Sequence, residues 1–482
     1  MKLTAYQKEG THFLLQALHV YQAALLADEM GMGKTAQALE VVKLMQAHAS
    51  RRQLILVITR NSIKSVWEEE LKKWYSEAYW FTVPSGTGIG SLDRQQVVLQ
   101  AEAEAKQLSG HLFPVFLIVH YDALRLLVDD LCGIKFDFVI ADECQDVKNR
   151  KTKRTRALKQ IPAKYKLGVS GTPLVNRPDE LWSLLNWFFP KDYRGYWKFF
   201  EKYVDYQLHP YLGVRMIKGA KNEQELHDEI SSFMIRRLKK DYLTELPDKY
   251  YTKIFVDMHP TQRRVYDEMK KESLAWIGEQ EDLPILASSV LARLTRLRQF
   301  ADAYAEIEAL TNDEGEPTGY KVHLREPSTK LDALMDILRD TAEDKSVVIF
   351  TQFRDMVEMA KLRLQKEGIT FVEYHGGVSE DDRKKAIQAF QEGQARVFVG
   401  TVQTGGAGIT LTRADTLIFL DRSWSPAVNL QAEDRLHRVG QKNAVQIILL
   451  VARGTVDEAV EAALEYKWAV IRSIIEGRQC SD

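Results

Sequence analysis

Asp28-Glu29-Met30-Gly31-Met32-Gly33-Lys34-Thr35 is the stretch of this sequence that decides the fold. The apolar run before it, residues 23–27, predicts a short buried strand, and apolar residues at helical spacing after it predict a helix that begins near Lys34. A strand, a glycine turn and a helix N-terminus together form an anion-binding site, because the first N–H groups of the helix point at the anion. The stretch therefore predicts a phosphate-binding loop.

Each residue type in this loop has a chemical role in nucleotide binding. Gly31 and Gly33 would let the backbone approach a phosphate, Lys34 would reach the β- and γ-phosphates, and the Thr35 hydroxyl would bind Mg²⁺. Asp28 departs from the full pattern G-x-x-x-x-G-K-[ST], which has glycine at that position. The alternative is an ordinary strand–turn–helix, but the strand before the loop and the helix after it favour nucleotide binding.

Length and composition describe a protein of several α/β domains. The chain has 482 residues, of which 45% are hydrophobic and 28% charged, and Lys+Arg 66 balance Asp+Glu 67. A chain of this length is expected to form two to four domains. The neutral overall charge gives no sign of nucleic-acid binding, so such a prediction must rest on local patches. Three unpaired-looking cysteines and the lack of an apolar run of membrane-spanning length predict a cytoplasmic protein with no membrane partner.

Two carboxylates follow another predicted strand of the same half. Asp142 and Glu143 end the apolar run 136–141. Asp142 would hold Mg²⁺ directly or through water, and Glu143 would orient and deprotonate an attacking water. Acidic pairs at strand ends also occur as helix caps. The order of the pair after a phosphate loop favours phosphoryl transfer.

Basic and amide side chains near the predicted site are candidates for binding, with a solvated surface as the alternative. Arg60 and Lys64 follow the strand at 54–59, and Lys148 and Arg150 belong to a basic run just after Glu143. Side chains beyond the carboxyl ends of parallel strands lie where ligands bind in such sheets. Gln7, on a predicted N-terminal helix, offers an amide that can pair with an adenine edge.

The second half repeats the strand–helix alternation without a phosphate loop. Five apolar runs predict a second parallel sheet, at 347–351, 371–374, 397–401, 417–421 and 445–450. Between the halves, the aromatic stretch 187–206 is interpreted as core, helices are expected at 260–278 and 285–310, and 312–317 reads as a hairpin tip. The fold class is therefore α/β with two parallel-sheet lobes: residues 1–235 as lobe 1 with a helical extension, 236–330 as connector and helical insertion, and 331–482 as lobe 2 with a C-terminal helix.

Residues 425–441 are the most informative stretch of this second half. Ser425 and Pro426 begin a helix well, as cap and first helical residue. Gln431, Arg435 and Arg438 are then spaced i, i+4, i+7, which would place them on one helical face. Two arginines beside a glutamine suit a phosphate, and we expect this clamp to face the nucleotide of the first lobe. The alternative is a surface helix with salt bridges.

These motifs together resemble the SWI/SNF-like ATPases of helicase superfamily two, which are double-stranded-DNA translocases. The resemblance runs from Tyr6-Gln7 to about residue 459, and Asp28 stands where that family also has aspartate. It implies two RecA-like lobes with helical insertions, ATP and Mg²⁺ as cofactors, and duplex DNA bound mainly through phosphates. The motifs that carry it, besides the phosphate loop and Asp142-Glu143, are Ser170-Gly171-Thr172-Pro173, Tyr374-His375-Gly376-Gly377, Thr404-Gly405-Gly406-Ala407-Gly408 and residues 431–441.

The resemblance also assigns roles residue by residue. Gln7 becomes an adenine contact, Ser170 and Thr172 would couple nucleotide to DNA, and Trp424 resembles a residue that probes the DNA groove. Gln431, Arg435 and Arg438 would form the trans-acting arm of the ATPase. The complete set of candidate DNA contacts is Arg60, Lys64, Lys148, Arg150, Thr351, Thr404, Gly405 and Trp424.

Three positions depart from the family pattern, and two other functions stay open. Gln145 replaces a customary histidine, Arg60 a proline and Thr410 an asparagine. Without visible chromatin-binding modules, the sequence fits a minimal bacterial or phage-encoded motor, in the nucleoid or in an infected host cell. The alternatives are a strand-separating helicase on DNA or RNA, and a nucleic-acid-binding scaffold with weak or no ATPase.

Overall fold

The computed structural model describes residues 2–86, 88–107, 112–208, 215–279, 287–311, 317–405 and 409–477. They form two compact units. Unit 1 comprises Met1–Gln207, Ile217–Thr244 and Lys467–Asp482, and unit 2 comprises Leu208–Met216 and Glu245–Tyr466. Among the helices of the described ranges, none combines the length and the apolar character needed to cross a membrane.

Strands and helices alternate along most of the chain. The strands are β1 (Ala23–Leu26), β2 (Leu54–Thr59), β3 (Tyr79–Thr82), β4 (Val115–His120), β5 (Phe136–Asp142), β6 (Ala163–Val169), β7 (Val204–Leu208), β8 (Arg215–Ala220), β9 (Met234–Ile235), β10 (Lys249–Val256), β11 (Tyr304–Thr311), β12 (Pro317–Arg325), β13 (Val347–Thr351), β14 (Phe371–Tyr374), β15 (Val397–Thr401), β16 (Thr416–Phe419) and β17 (Val445–Ala452). The α-helices are α1 (Ala5–Tyr21), α2 (Lys34–Ala47), α3 (Lys64–Trp74), α4 (Ser91–Ala105), α5 (Leu124–Cys132), α6 (Lys153–Gln160), α7 (Asp179–Phe188), α8 (Tyr196–Tyr203), α9 (Glu223–Ser231), α10 (Lys239–Tyr242), α11 (Pro260–Glu279), α12 (Ala287–Asp302), α13 (Thr329–Asp340), α14 (Arg354–Lys366), α15 (Glu380–Glu392), α16 (Val402–Gly405), α17 (Pro426–Glu433) and α18 (Val456–Glu476).

The sheet of unit 1 has the order β3-β4-β2-β5-β6-β1-β9, and every neighbouring pair is parallel. Its central strands are mostly apolar and are buried at every position, as in β1, β2 and β5, because helices cover both faces of a parallel sheet. All carboxyl ends lie at one edge of the sheet. That edge gathers the segments after β1, β2, β5 and β6, which carry most of the predicted site of lobe 1.

The sheet of unit 2 has the order β10-β17-β16-β13-β15-β14 and is also parallel throughout. The five strands predicted for the second half are all present, with ends shifted by at most two residues. The predicted α/β class with two parallel-sheet lobes is therefore confirmed.

Several strands were not predicted, among them β3, β9 and β10, and one helix was predicted too long. β10 escapes a search for buried runs because it lies at the sheet edge, where Tyr250, Tyr251 and Phe255 are exposed. β3 is only partly buried and β9 has two residues. The helix expected to reach residue 310 ends at Asp302, and Tyr304–Thr311 pair with β12 as a hairpin. The predicted hairpin tip at 312–317 falls mostly outside the described residues.

The compact units divide the chain differently from the predicted boundaries. No separate connector domain spans 236–330: the part from Glu245 belongs to unit 2, because β10 pairs with β17. The end of the C-terminal helix α18 belongs to unit 1 instead of lobe 2, since its last apolar residues join the core of unit 1: Val470, Ile471, Ile474 and Ile475.

Candidate active site

The loop between β1 and α2 has the backbone of a phosphate-binding loop. Gly31 and Gly33 have φ angles of +83° and +71°, a region that side chains rarely adopt, and α2 begins directly at Lys34. A Cβ at Gly33 would also lie 2.4 Å from Nε2 of Gln7. Both glycines are therefore required by geometry, as the sequence predicted, and the first N–H groups of α2 face the loop.

Lys34 lies over this loop. Its Nζ donates to the carbonyl oxygens of Asp28 at 2.9 Å and Glu29 at 3.1 Å. Burial lowers the pKa of Lys34, while the charges of Glu143, Asp28 and Asp142 oppose that shift. The ammonium is therefore close enough to Asp142 and Glu143 for their charges to act on its pKa.

Asp28, the departure from the phosphate-loop pattern, is a structural anchor. Its side chain is fully buried. Arg237 donates to both carboxylate oxygens, through Nε at 3.0 Å and through a closer NH2 contact, and Gln37 Nε2 donates at 3.1 Å. A glycine here would leave a buried guanidinium unpaired. Asp28 thus joins the strand end to α2 and to the segment after β9.

Asp142 and Glu143 lie at the carboxyl end of β5, as predicted. Asp142 Oδ2 accepts from Thr59 Oγ1 at 3.1 Å and from Trp67 Nε1 at 2.9 Å, and Oδ1 accepts from the Glu143 N–H at 3.0 Å. Burial, and then the charge of Glu143, raise the pKa of Asp142 to about 6. Glu143 has a φ of +51°, an uncommon conformation for a residue with a side chain that costs about 1–3 kcal/mol. Strain of this kind is typical of functional positions.

The oxygen donors present suit Mg²⁺. The Thr35 hydroxyl is only partly buried and forms no hydrogen bond with a residue in the described ranges. Both carboxylate oxygens of Asp142 already accept hydrogen bonds from the protein. The lone pairs that remain are more easily shared with a metal-bound water than with the ion itself. Carboxylate, hydroxyl and water oxygens are what Mg²⁺ prefers. Thr35 and Asp142 therefore fit the predicted metal role, with Asp142 acting through water.

Gln145 connects the carboxylate pair to the turn after β6. Its Nε2 donates to Glu143 Oε2 at 2.5 Å, and its Oε1 accepts from Ser170 Oγ at 2.6 Å. Ser170 Oγ in turn accepts from the Thr172 N–H at 2.9 Å. The structure thus brings the predicted coupling residues into one hydrogen-bonded chain with Glu143. An amide replaces histidine in that chain without breaking it.

Gln7 lies beside the phosphate loop. Its Nε2 donates to the Met32 carbonyl at 3.3 Å, and its Oε1 accepts from the Thr4 N–H at 3.0 Å as part of an N-terminal capping box. The side chain is 9% exposed. The alternative of a solvated helix residue is therefore wrong, while the adenine contact stays a prediction.

In unit 2, the helix that was expected to carry Gln431, Arg435 and Arg438 on one face ends at Glu433. The one-face prediction is therefore wrong. The Arg435 carbonyl accepts from the Leu411 N–H at 2.9 Å instead of from a helical N–H. Gln441 Nε2 holds the following turn by bonds to the carbonyls of Thr412, Ala414 and Leu436. These bonds to residues 411–414 replace the next helical turn.

The two arginines are nevertheless neighbours through another segment. Arg435 NH1 donates to the Ile409 carbonyl at 3.4 Å, and Arg438 NH1 donates to Thr410 Oγ1 at 3.0 Å. Thr410, one of the three departures, thus holds Arg438. Gln431 and Arg435 are buried, at 5% and 8% exposure, and Arg438 is half-buried. Their role toward a nucleotide stays a prediction.

Two of the predicted DNA contacts are engaged inside unit 1. Lys64 is buried, and its Nζ donates to the Val83 carbonyl at 2.8 Å and to Ser85 Oγ at 3.1 Å; these bonds argue against a phosphate contact, which stays a prediction. Arg60 forms a two-bond pair with Asp146, with both distances 2.8 Å. Because Asp146 already balances the charge of Arg60, the structure argues against a phosphate contact there as well.

The basic run after Glu143 divides into paired and unpaired members. Lys148 pairs with Glu180 at 3.4 Å, and the Arg150 guanidinium stacks on Tyr196 at 3.9 Å from the ring centre. Lys151, Lys153 and Arg156 are exposed and form no ion pair with the residues that the structure describes. These three side chains, rather than Lys148 and Arg150, are the available cations of this run.

The remaining predicted DNA contacts lie in unit 2. Thr351 is fully buried and donates to Asp421 at 2.5 Å, which argues against a phosphate contact by its side chain; that contact stays a prediction. Thr404 Oγ1 accepts from Thr401 Oγ1 at 3.0 Å, and Gly405 ends α16; residues 406–408 lie outside the described part of the chain. Trp424 is half-buried and packs against the core of unit 2. Thr404, Gly405 and Trp424 stay predictions.

Arg236 and Arg237 are the site residues that the sequence did not reveal. Both guanidinium groups are buried against the phosphate loop, with side chains 7% and 6% exposed, so the start of the predicted connector does not present them to solvent. The available signal was a short apolar β-strand directly before the two arginines, because residues that directly follow a strand of the sheet lie close to the sheet edge.

Comparisons with known proteins agree with this geometry. Residues 6–304 match the model of the SNF2-related domain, and residues 329–440 match the helicase conserved C-terminal domain. An uncharacterized ATP-dependent helicase of Mycoplasma genitalium is 29% identical over 98% of this chain and 42% of its own length. A putative ATP-dependent helicase/translocase of Bacillus subtilis is 28% identical over 98% of this chain and 49% of its own length. The chain thus spans less than half of these curated relatives.

A solved structure that matches this chain is the Sulfolobus solfataricus SWI2/SNF2 ATPase core in complex with double-stranded DNA. It is 26% identical in sequence, the match covers 99% of this chain and 93% of that chain, and the TM-score is 0.44.

Proposed function

Because the chain belongs to the SNF2-related family of superfamily-two helicases, we propose that it is an ATP-driven translocase on double-stranded DNA. The observation that carries this proposal is the convergence of Lys34, Asp142 and Glu143 at one edge of a single sheet. Loop and carboxylates come from separate strands, β1 and β5, and their charges interact directly. A nucleotide-binding scaffold without hydrolysis would not need Glu143 held in a strained backbone and oriented by Gln145.

The residues of unit 1 can carry out hydrolysis of the γ-phosphate. The N–H groups at the start of α2 and the Lys34 ammonium bind the phosphates of ATP. Thr35 and Asp142 would hold Mg²⁺, which would supply charge neutralisation at the phosphates. Glu143 orients a water molecule and takes its proton as the water oxygen attacks phosphorus. The bond from phosphorus to the ADP oxygen breaks, and ADP leaves with the electron pair.

Arginines of unit 2 complete the proposed cycle. Gln431, Arg435 and Arg438 would contact the γ-phosphate when the two lobes close on ATP, and hydrolysis would release them. Lobe closure and opening would then step the protein along a duplex held mainly through phosphates, hence without sequence preference. Lys151, Lys153 and Arg156 supply cations for that contact in unit 1.

The experiment is a phosphate-release assay with duplex DNA, single-stranded DNA and no DNA, with Lys34→Ala as the inactive control. A translocase on duplex is expected to be stimulated most by duplex. Displacement of a third strand from a triplex, without unwinding of a fork, distinguishes it from a strand-separating helicase. Phosphate release that ignores DNA would refute the motor, and the absence of phosphate release in every condition would favour the scaffold.

A further inference from the structure

The segment that leads from unit 1 into unit 2 is bonded to the phosphate loop. We infer that Arg236 and Arg237 are positioning residues, which transmit nucleotide occupancy of the loop to the connector between the two units. This inference rests on the proposed ATPase function and adds a physical route to it. Unit 1 ends at Thr244 and unit 2 continues at Glu245, so only seven residues separate Arg237 from the boundary.

The connector between the two units, which here means residues 234–244, begins with β9 and continues along the phosphate loop. β9 pairs in parallel with β1, and the same ladder extends beyond both strands. The Ala27 N–H donates to the Ile235 carbonyl at 2.8 Å, and the Glu29 N–H donates to the Arg237 carbonyl at 3.1 Å. The Glu29 carboxylate accepts from the Lys239 N–H at 2.5 Å. These bonds hold the connector to Ala27, directly after β1, and to Glu29 of the phosphate loop.

Arg236 joins three parts of the site. Its NH1 donates to the Ala27 carbonyl at 2.7 Å and to the Gly171 carbonyl at 2.9 Å. Gly171 belongs to the turn that couples to Gln145, and a Cβ there would approach Met30 to 2.6 Å and Lys34 Nζ to 3.4 Å. One buried guanidinium therefore spans the end of β1, the coupling turn and the connector.

Arg237 forms a second, independent attachment. Its guanidinium donates to both oxygens of Asp28, to Gln37 Oε1 at 2.8 Å and to the Tyr6 carbonyl. The backbone approaches this group closely at Gly10, where a Cβ would lie 2.3 Å from Arg237 NH2. The planar fork of arginine satisfies all four acceptors at once, and lysine, with a single nitrogen, does not.

These attachments make loop and connector move together. Lys34 Nζ donates to the carbonyls of Asp28 and Glu29, and a bound phosphate competes for the same ammonium. Asp28 is held by Arg237, and Glu29 by the Arg237 carbonyl and the Lys239 N–H. A change in the positions of Asp28 and Glu29 therefore reaches the connector through a small number of short hydrogen bonds.

The test is amide hydrogen exchange in the full chain, with and without a non-hydrolysable ATP analogue, followed by ATPase measurements. In the wild type, the analogue should slow exchange in residues 28–37 and change it in residues 236–244. In Arg236→Lys and Arg237→Lys, loop protection should persist while the connector response is lost. DNA-stimulated kcat should fall at least tenfold with less than threefold change in KM for ATP.

A matched control is Arg51→Gln, which removes an arginine–carboxylate pair of the same unit at the opposite end of the sheet, with Asp137. It should keep both exchange responses and the DNA stimulation. A wild-type loop that is protected while the connector does not respond would overturn the inference, as would a normal connector response in both lysine variants. Failure of the analogue to protect the wild-type loop would instead overturn the proposed ATPase function.

Discussion

Gln145 stands in a chain of hydrogen bonds where a titratable histidine is customary in the resembling family. Its amide donates to Glu143 and accepts from Ser170, and an amide has both functions at any pH near neutral. Glu143 is thereby oriented without a group that gains or loses a proton. The residue types at the site were predictable from the sequence because they follow strand ends, but the bridging role of Gln145 was not, since its partner Ser170 lies on another strand.

Gln145→Leu should therefore lower kcat more than it affects ATP binding. The apolar side chain has similar size but releases both the Glu143 carboxylate and the Ser170 hydroxyl, and misplacement of a catalytic group can cost about a hundredfold in rate. Phosphate release and analogue affinity should be measured for Gln145→Leu, Ser170→Ala and the double variant. Effects that add independently in this cycle would contradict the chain.

Glu143→Gln tests the proposed base directly. Glutamine keeps the hydrogen-bonding shape of the side chain but cannot take a proton, so kcat should fall by about 10²–10⁴ while ATP remains bound. Single-turnover phosphate release and analogue binding should be measured together. Glu143→Asp, which retains the carboxylate but shortens it, is the companion variant. Undiminished turnover in Glu143→Gln would exclude this residue as the base.

At the scale of elements, the phosphate-loop side of unit 1 was predictable, and which of its basic side chains are available for DNA was not. Strands that are buried throughout, such as β2 and β5, stand out as apolar runs, and the loops at their carboxyl ends follow. Whether a cation is available depends on partners elsewhere in the sequence, as Asp146 is for Arg60 and Val83 for Lys64. The same limit applies to α17, whose last expected turns are displaced by bonds to residues 411–414.

The exposed cations around α6 give a prediction at this scale. Replacing Lys151, Lys153 and Arg156 by glutamine should weaken duplex binding and reduce the slope of log K against log salt by about one for each phosphate that is no longer neutralised. Fluorescence anisotropy at several salt concentrations measures both quantities. The matched control is Arg60→Gln, whose charge is already paired with Asp146, and it should change affinity less than twofold. An equally large effect in the control would restore Arg60 as a DNA contact.

At the scale of the molecule, the two-lobe division was predictable because two separate sets of parallel strands occur in order along the chain. The exact boundaries were not, for two reasons. β10 joins the sheet of unit 2 although a long insertion separates it in sequence from the other strands of that sheet. The last turns of α18 pack in the core of unit 1. Both depend on residues that meet partners far away along the chain, as Lys249 of β10 does with Val445 of β17.

The whole-molecule proposal makes its sharpest prediction at Arg438. If the arginines of unit 2 act on the γ-phosphate bound by unit 1, Arg438→Ala should lower kcat by about 10³–10⁵, the range of an arginine finger, and change ATP affinity far less. Unit 2 should remain folded, because Arg438 is half-buried and is held by one bond to Thr410. Arg453→Ala, which removes a mostly exposed arginine of unit 2 paired with Asp257, should leave kcat within twofold.

Phosphate release under saturating ATP and duplex separates this role from a structural one. A thermal melt shows whether Arg438→Ala destabilises unit 2, and Thr410→Val tests the hydrogen bond from Arg438 NH1 to Thr410 Oγ1. Thr410 is expected to position Arg438 and not to contact the nucleotide. The Thr410→Val variant should therefore lose less activity than Arg438→Ala, and the losses of the two substitutions should be less than additive in the double variant. A defect confined to ATP affinity would place Arg438 in ground-state binding, and unchanged kcat would exclude Arg438 from the chemistry.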